Sequence, residues 1–250
     1  MSRRTTVAAR LLAGLLAGLA LLPAAARAES DYAGSFDLRL GGYKPNLDNG
    51  TIVGADGKRP YQRAFGSGHP LQFRLDVARA LPWRQYGTVE LGVGAGYWRV
   101  SGHGTFADGT ASQDRTALSV VPVQLSLTYR LDVLWERFHV PLVPYAKASL
   151  ERANWWITDG AGSTSQSGAT NGWSLGGGAA FVLDVVDSQL ARELDMETGI
   201  NHTMVFVDVS RQRIDDFGAS TGTGSQRRKK SFDFSDSTQP SLTFGLLFVF

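Results

Sequence analysis

The chain has 250 residues, of which 43% are hydrophobic and 19% charged, with 29 glycines and no cysteine. The absence of cysteine excludes disulfides and any cysteine-based metal or nucleophile site. Four of the 25 basic residues lie in the first 28 positions, which contain no acid, and the remainder carries 21 basic against 23 acidic residues. Because no basic excess remains to neutralise a phosphate backbone, we exclude nucleic acid as a partner.

Residues 1–28 have the pattern of a secretory signal peptide. Three arginines precede an apolar run of about 12 residues at positions 11–22, and Ala26-Arg27-Ala28 supplies a small-residue cleavage site. An N-terminal membrane anchor is the alternative, but such a run is too short to cross a bilayer core of roughly 30 Å. We therefore predict that the signal peptide is removed and that residues 29–250 form a single domain outside the cytoplasm.

Apolar side chains alternate with polar or small ones in eight segments of the predicted mature chain. These segments cover residues 36–40, 71–77, 89–97, 121–129, 142–152, 173–183, 202–209 and 242–250. A period of two predicts strands with one apolar face, and tilted strands of about 9–11 residues span a bilayer. An even number of strands is usual in bacterial single-chain barrels. The pattern predicts an all-β fold, an eight-stranded antiparallel up-and-down transmembrane β-barrel. Pro122 removes one ladder donor from the fourth strand, so we expect a bulge or an end of pairing there.

The connections between these segments alternate between long and short. Long connections rich in Gly, Ser and Thr cover residues 44–70, 101–115, 154–171 and 210–239, and short ones cover residues 81–87, 131–141 and 185–196. Long loops on one side and short turns on the other are typical of outer-membrane barrels. We therefore expect the long loops outside the cell and both termini on the periplasmic side.

The aromatic residues cluster near the predicted strand ends. The set comprises Trp83, Trp98, Trp135, Trp155, Trp156 and Trp173, together with Tyr43, Tyr86, Tyr97, Tyr129 and Tyr145. Amphipathic rings favour the headgroup layer, so these positions predict two aromatic girdles. A soluble sandwich, the alternative, more often places Trp at strand centres in the core.

The face that alternates with the apolar one is polar, and periodicity alone does not say which face points inward. Secretion and the expected girdles favour a polar interior, the reverse of a soluble lipocalin-type barrel. Its predicted charged residues are Asp37, Arg39, Arg74, Asp76, Glu90, Lys147 and Glu151. Eight strands leave an interior that side chains just fill, and unpaired buried charges are costly. We therefore predict an ion-paired plug rather than the lining of a pore.

The last segment ends with a polar residue, a glycine and two aromatic residues at Thr243, Gly245, Phe248 and Phe250. This spacing resembles the terminal signal that the outer-membrane barrel-assembly machinery reads. In a soluble protein the same exposed aromatic strand would promote edge-to-edge aggregation. We interpret the segment as an assembly signal.

A second resemblance lies between the sixth and seventh predicted strands. The segment contains Asp184-Val-Val-Asp187, a short amphipathic helix through Leu190 and Leu194, and the motif GINHT-x-x-F at residues 199–206. It resembles a family of small outer-membrane β-barrel proteins from gliding and related Gram-negative bacteria. The resemblance implies a small barrel in the outer membrane, with a short periplasmic helix at this connection, and it implies no activity.

Catalytic chemistry has little support in the sequence. Some small barrels are enzymes that act on lipid A with a histidine beside a serine or a carboxylate near the outer leaflet. This chain has His69, His103, His139 and His202, and no local pattern pairs any of them with a serine and an orienting acid. Asn201-His202-Thr203 lies on the predicted periplasmic half, so we interpret His202 as a structural hydrogen-bonding residue. We predict no enzymatic activity, no cofactor and no metal.

One basic run, Arg227, Arg228, Lys229 and Lys230, lies in the last long loop. It is a candidate contact for lipopolysaccharide phosphates. The alternative is a solvated loop whose charge is balanced by nearby acids. Those acids are Asp215, Asp216, Asp233 and Asp236, and they lack the spacing of a calcium site.

The sequence as a whole predicts a non-enzymatic barrel in the cell outer membrane, with a plugged interior and long extracellular loops for surface or structural interactions. A lipid A-modifying enzyme and a narrow channel remain as alternatives. The expected partners are outer-membrane lipids, lipopolysaccharide and, during biogenesis, the barrel-assembly machinery. We expect a monomer.

Overall fold

The computed structural model describes residues 32–48, 57–82, 86–105, 111–160, 162–221, 228–229 and 231–250. The predicted signal peptide, Trp83, Arg227 and Lys230 lie outside these residues. The strands are β1 (Gly34–Gly42), β2 (Leu71–Ala80), β3 (Thr88–Thr105), β4 (Ala111–Arg130), β5 (Leu142–Thr158), β6 (Thr164–Val182), β7 (His202–Arg213), β8 (Ser220–Thr221), β9 (Arg228–Lys229) and β10 (Ser241–Val249). The helices are α1 (Pro60–Phe65), α2 (Val133–Phe138) and α3 (Ser188–Thr198), with 3-10 turns at Leu183–Val185 and Asp216–Gly218.

Eight strands form a closed antiparallel barrel, and β8 and β9 form a separate small hairpin in the last long connection. Each barrel strand pairs with its neighbours in the chain, and β1 pairs with β10 to close the ring. At this seam Phe36 lies opposite Phe248, and the backbone N–H groups of Ala33 and Gly34 both donate to the carbonyl oxygen of Phe250. The predicted eight-stranded up-and-down barrel is confirmed.

The alternation of side chains in each strand decides which surface faces out. Outward residues in the middle of the strands are apolar and exposed, as at Leu91, Val93, Leu125, Leu127 and Val207, which are 48–54% accessible. Their inward neighbours are polar, charged or small. The barrel is therefore apolar outside and polar inside, the arrangement that suits a lipid environment.

Two hairpins continue well beyond the predicted strand ends. β3 and β4 have 18 and 20 residues, and β5 and β6 have 17 and 19. The predictions of loops at residues 101–115 and 154–171 are therefore largely wrong, because most of these residues belong to paired strands. Their Ser, Thr and Gly content resembles that of a loop, yet inward Val100, Leu118 and Ile157 pack together at this end. That packing stabilises pairing where the local composition does not.

The remaining connections agree more closely with the sequence. The first long connection contains α1, and the one between β6 and β7 contains α3, the predicted short helix between the sixth and seventh barrel strands. We call the end of the barrel that carries the connections from β1 to β2, β3 to β4, β5 to β6 and β7 to β10 the long-loop end. The opposite end is the short-turn end. Among the helices of the described residues, none is long and apolar enough to cross a membrane.

Pro122 changes the pairing of β4 on one side only. The ladder between β3 and β4 stops at Ala95 opposite Val123 and resumes at Trp98 opposite Val120 in the same register. The ladder between β4 and β5 runs on through Pro122 opposite Ala153. Pairing is therefore interrupted beside Pro122, as one of the two expectations had it. The other expectation, a bulge, is not met at this point of the described ladder.

Candidate functional site

The lumen of the barrel holds charged side chains in layers, and the lowest layer lies nearest the short-turn end. The Glu90 carboxylate is fully buried there. Arg130 Nε donates to Glu90 Oε2 at 2.6 Å, and the Tyr32 hydroxyl donates to Glu90 Oε1 at 2.6 Å. Arg130 also donates to the Ser35 hydroxyl at 3.2 Å. This layer joins β1, β3 and β4 across the lumen.

The middle layer is organised around Lys147 of β5. Its Nζ lies 3.4 Å from Asp76 Oδ1 and 3.9 Å from Asp37 Oδ2. Arg39 bridges the same layer, with its guanidinium 3.4 Å from Asp37 and 3.4 Å from Asp208. Lys147 therefore crosses the lumen from β5 to two carboxylates on neighbouring strands β1 and β2.

The upper layer is organised around Arg74 of β2. Arg74 Nη2 donates to Glu151 Oε2 at 3.1 Å, while its other donors bond Gln124 Oε1 at 3.2 Å and Gln72 Oε1 at 2.9 Å. The Gln124 amide in turn donates to Asp76. Buried charges are tolerable only when they are paired and fully hydrogen-bonded, and these contacts supply most of that pairing.

The structure brings all seven charged residues predicted for the interior into these three layers. Two further members were missed, Arg130 and Asp208, which are 6% and 1% accessible. A signal for both was present, because Arg130 shares its strand face with Gln124, Ser126 and Thr128, and Asp208 shares its face with Phe206. We call the nine residues the ion-pair network, and its members are Asp37, Arg39, Arg74, Asp76, Glu90, Arg130, Lys147, Glu151 and Asp208.

Glycines on β3 make room for this network. A Cβ added at Gly94 would come within 2.0 Å of Asp76 Oδ1, and one added at Gly96 would come within 2.8 Å of Arg74 Cγ. The long side chains of β2 therefore fold over a strand surface that has no side chains of its own.

An apolar cluster, which we call the cap, closes the lumen at the long-loop end. Its members are Tyr43, Tyr61, Trp98, Val100, Leu118, Val120, Ala153, Ile214 and Phe234. Trp98 is fully buried, makes an edge contact with Tyr43 at 5.3 Å and donates from Nε1 to the carbonyl oxygen of Pro70 at 3.3 Å. Trp155 stacks on Phe234 at 5.9 Å and packs against the cap. The cap is therefore built from strand residues and from two loops.

The cap corrects part of the predicted aromatic girdles. Tyr43, Trp98, Tyr145 and Trp155 face the interior, because their positions share the inward parity of their strands or pack beneath the loops. Tyr86, Tyr97 and Tyr129 are 39–67% accessible on the outside, as predicted. An aromatic ring near a strand end fits a headgroup layer and a buried cap equally well. Its position along the strand therefore does not distinguish a girdle residue from a cap residue.

Helix α1 is held against the cap by Asp48. The two carboxylate oxygens of Asp48 accept from the backbone N–H groups of Tyr61 and Gln62 at 2.8 and 3.2 Å, which satisfies free donors at the start of the helix. Burial against the cap, with the Asp48 carboxylate nearby, raises the pKa of Tyr61 above its ordinary value. Tyr61 therefore stays neutral as a packing residue.

A second apolar cluster, which we call the floor, fills the lumen at the short-turn end. It comprises Val143, Ala180, Val182, Met204, Phe206, Leu247 and Val249, with Tyr145 and Trp135 packed against it. The guanidinium of Arg39 lies 5.0 Å from the centre of the Phe206 ring. Tyr32, which donates to Glu90, also packs against the floor, so the lowest layer of the ion-pair network lies beside this cluster.

Small polar cavities remain between these layers. Three of them have volumes of about 30, 10 and 10 Å³ and are lined by members of the network. A cavity of about 10–15 Å³ by this measure holds one water, so the largest has room for about two or three waters and each of the others for about one. The protein is a closed, filled β-barrel.

The histidines do not form a catalytic arrangement in the described residues. His69 Nε2 lies 2.8 Å from the Thr238 hydroxyl, and none of the described acids contacts its ring. His202 Nδ1 lies 2.6 Å from Asp184 Oδ2. This contact joins the two halves of residues 184–206, which we call the motif segment. No group of three or more acidic or histidine side chains that could hold a metal ion lies in the described part of the chain.

The motif segment is a structural connection at the short-turn end. Asp187 caps α3 by accepting from the N–H groups of Gln189 and Leu190 at 3.1 and 2.9 Å. Gly199 ends the helix in the left-handed conformation at φ 71°, which favours glycine. Together with the pair of Asp184 and His202, these contacts account for the spacing of the motif.

At the long-loop end the extended hairpins form a protruding sheet of four strands. The ladder between β2 and β3 ends at Tyr97, and the ladder between β6 and β7 ends at Trp173, while β3, β4, β5 and β6 continue. Helix α1 covers the β3 edge, since a Cβ at Gly102 would come within 1.9 Å of the Ala64 carbonyl oxygen. On the β6 edge, residues 165–168 are exposed and pair with no described strand on the side away from β5.

Comparison of the sequence with protein-family models and with curated proteins gives no match. The resemblance seen at residues 184–206 therefore stays a prediction. Among solved structures, the chain is similar to Ail, the attachment invasion locus protein of Yersinia pestis. The crystal structure of Ail in complex with the heparin analogue sucrose octasulfate shares 10% identity at a TM-score of 0.36, with 87% of this chain and 99% of that chain covered.

Two further Ail structures give similar values. The crystal structure of Ail has 10% identity and a TM-score of 0.35, and its backbone structure in a phospholipid bilayer nanodisc has 11% identity and a TM-score of 0.32. Both cover 87% of this chain and 99% of Ail. At this level of identity the likeness concerns the fold alone.

Proposed function

We propose that the protein is a non-enzymatic outer-membrane β-barrel that crosses the membrane without forming a channel and presents its long-loop end to the surroundings for surface or structural interactions. Its apolar exterior supports a location in lipid, since such a surface in water would be a large exposed hydrophobic patch. In this proposal residues 1–28 direct secretion, Thr243, Gly245, Phe248 and Phe250 are read by the assembly machinery, and the barrel is a monomer.

The filled lumen is the observation that carries this proposal. A solute entering from the long-loop end would meet the cap and then three layers of paired charges, the lowest of which lies beside the floor. The described gaps among them have room for about one to three water molecules each. Opening a path would require separating buried ion pairs, which costs several kcal/mol for each pair.

The interaction surface in this proposal is the protruding sheet and the loops beside it. An exposed strand edge offers backbone donors and acceptors to an extended segment of another chain. Residues 165–168 of β6 have this character among the described residues. The basic run at Arg227, Arg228, Lys229 and Lys230 stays a proposed lipopolysaccharide contact. Arg228 and Lys229 form β9, and the other two residues lie outside the described part of the chain.

Planar-bilayer recording tests the proposal. Purified protein inserted into the bilayer should give no steady large conductance, while an open-pore protein inserted under the same conditions serves as the positive control. A reproducible open level from the purified protein would favour the narrow-channel alternative instead. Mass spectrometry of lipid A from cells with and without the protein should give identical spectra. A changed acyl or phosphate pattern would establish the enzyme alternative.

A further inference from the structure

We propose that Arg152, Arg211 and Arg213, with Trp173 between them, form a binding site for a phosphorylated lipid headgroup on the outer wall of the barrel. The inference rests on the proposed function, because it requires the long-loop end to lie at the outer leaflet. The ligand in this inference is a lipid phosphate, and the site is separate from the basic run in the last loop.

The three arginines lie on adjacent strands. Trp173 of β6 is directly opposite Arg213 of β7, and Arg211 is directly opposite Leu175. On the other side of β6, Asn171 is opposite Arg152 of β5. Neighbouring strands lie about 4.8 Å apart and alternate residues about 7 Å apart, so the Cα atom of Arg213 falls roughly 12 Å from that of Arg152 and roughly 7 Å from that of Arg211. The Cα atoms of Arg152 and Arg211 are the most distant pair, at roughly 17 Å. Because arginine side chains are long and flexible, one large lipid headgroup can still reach all three.

The site begins where the apolar wall ends. Arg152 is two residues beyond Leu150, and Arg211 is two residues beyond Val209, on the same outward faces. Leu150 and Leu175 are each 58% accessible, and Val209 is 45% accessible. All three arginines are exposed. Along their strands, Arg152 and Arg211 therefore lie about 7 Å beyond the last outward apolar residue, and Arg213 lies about 14 Å beyond it, where headgroups replace acyl chains.

The charge of this site is only partly neutralised within the protein, since Asp215 pairs with Arg213 and Asp216 accepts from the Asn171 amide beside Arg152. Arg152 contacts the amide oxygens of Asn154 and Asn171 at 3.4 and 3.2 Å, and Arg211 contacts that of Gln239 at 3.2 Å. Among the described residues, neither arginine has a carboxylate partner. The amides orient the guanidinium groups without cancelling their charge.

Arg213 completes the set with donors to spare. Its Nε contacts Asp215 at 3.2 Å, and its side chain remains 56% accessible. The hydrogen bonds that Arg211 and Arg213 make within the described residues use Nε, which leaves their terminal nitrogens available as donors, with Nη2 of Arg213 beside Gly218. A guanidinium fork of this kind matches the oxygens of a phosphate in bidentate geometry.

The surroundings favour a lipid over a soluble anion. Trp173 lies at the level of Leu150, and indole rings favour the interface between acyl chains and headgroups. A ligand held here would place its phosphate on the arginines and its chains over the leucines and valine below. A free phosphate uses only the first of these contacts.

The experiment compares lipid retention by the wild type and a triple variant, Arg152→Gln, Arg211→Gln and Arg213→Gln. Each protein is refolded into vesicles that contain lipid A carrying both phosphates, or lipid A from which the phosphates have been removed. Native mass spectrometry after gentle detergent extraction counts the bound lipid. A matched triple variant at exposed arginines away from the site, Arg79→Gln, Arg137→Gln and Arg192→Gln, controls for loss of positive charge.

The wild type and the control variant should retain phosphorylated lipid A at least tenfold more than the site variant does. Dephosphorylated lipid A should be retained weakly and equally by all three, and raised salt should lower retention by the wild type. The single variants Arg152→Gln and Arg211→Gln should each give an intermediate loss. They keep the test open if the triple variant does not fold.

Equal retention of phosphorylated lipid A by the site variant and the wild type would overturn the inference and leave the proposed function intact. Displacement of the lipid by millimolar inorganic phosphate would overturn the lipid assignment in favour of a free-phosphate site. If the wild type itself fails to insert into vesicles of either composition, the proposed function and this inference fall together.

Discussion

At the scale of single residues, the ion-pair network places like charges opposite each other on neighbouring strands. Asp37 lies directly opposite Asp76, and Arg39 lies directly opposite Arg74, in the ladder between β1 and β2. Like charges facing each other destabilise a sheet. Here Lys147 and Glu151 of β5 reach across the lumen to both pairs. The network therefore depends on contacts between opposite walls of the barrel.

Lys147→Met should lower the free energy of unfolding by about 3–5 kcal/mol, because Asp76 then loses its cationic partner and Asp37, which faces it, keeps only Arg39 among the described residues. Urea titration of the detergent-folded protein measures the change. Adding Asp37→Asn should restore part of the loss, since only one buried carboxylate then remains. Arg137→Met, an exposed change of the same kind in α2, should have an effect near zero, and a comparable loss there would contradict the assignment.

The sequence predicts these residues better than it predicts their partners. Parity along β1, β2, β3 and β5 places seven charges on the inner face, and the same rule would have included Arg130 and Asp208. The partner of each charge depends on how far β5 lies from β1 and β2 across a closed ring. That distance follows from the number of strands and their tilt, and no local pattern encodes it.

At the scale of elements, β3 to β6 show how composition misleads about length. Residues 101–105 and 154–158 have the polar composition of loops and nevertheless continue the ladders. Inward Val100, Leu118 and Ile157 stabilise them from inside, together with loop residues such as Phe234 that come from distant parts of the chain. A window of sequence around each strand end does not contain these partners, so the strand ends and the cap were both missed.

Trp98→Ala tests the cap directly. Removing this buried ring should cost about 3–5 kcal/mol in the free energy of unfolding and should make the long-loop end more sensitive to protease. Trp156→Ala, which removes an outward-facing ring in the same sheet, should cost less than about 1 kcal/mol by comparison. Equal losses for the two variants would mean that Trp98 does not support the loops from within.

Deletion of Phe250 tests the predicted assembly signal on the last strand. The stability lost in detergent should be about 1.5–3 kcal/mol for the burial of one Phe side chain, plus about 1 kcal/mol for each seam hydrogen bond that the new terminus does not replace. In cells the amount of folded protein in the outer membrane should fall far more than that loss explains, because the assembly machinery loses its terminal contact. Fractionation and immunoblotting measure it, with Lys229→Ala as the control. Normal levels of the deletion variant would contradict the assignment.

At the scale of the whole molecule, the sequence predicted the strand number, the topology and the polar interior, since each of these follows from a period of two repeated eight times. The filled state of the lumen follows from that strand number as well. The same period of two does not predict the protruding sheet, because that sheet depends on two hairpins continuing past the point where their neighbours end. A short ladder beside a long one is a relation between strands that lie far apart in the chain.

The seam between β1 and β10 has a consequence for biogenesis. It joins segments separated by roughly 200 residues, so the first strand has no partner on that side until nearly the whole chain has been synthesised. A partial barrel would present two open strand edges, which aggregate in water and leave backbone groups unsatisfied in lipid. Barrel closure must therefore wait for synthesis, and in the proposed route of secretion the periplasm would carry the chain unfolded. The hydrogen bonds at the seam between β1 and β10 leave the closed ring without an open edge, and before they form the chain would need chaperones.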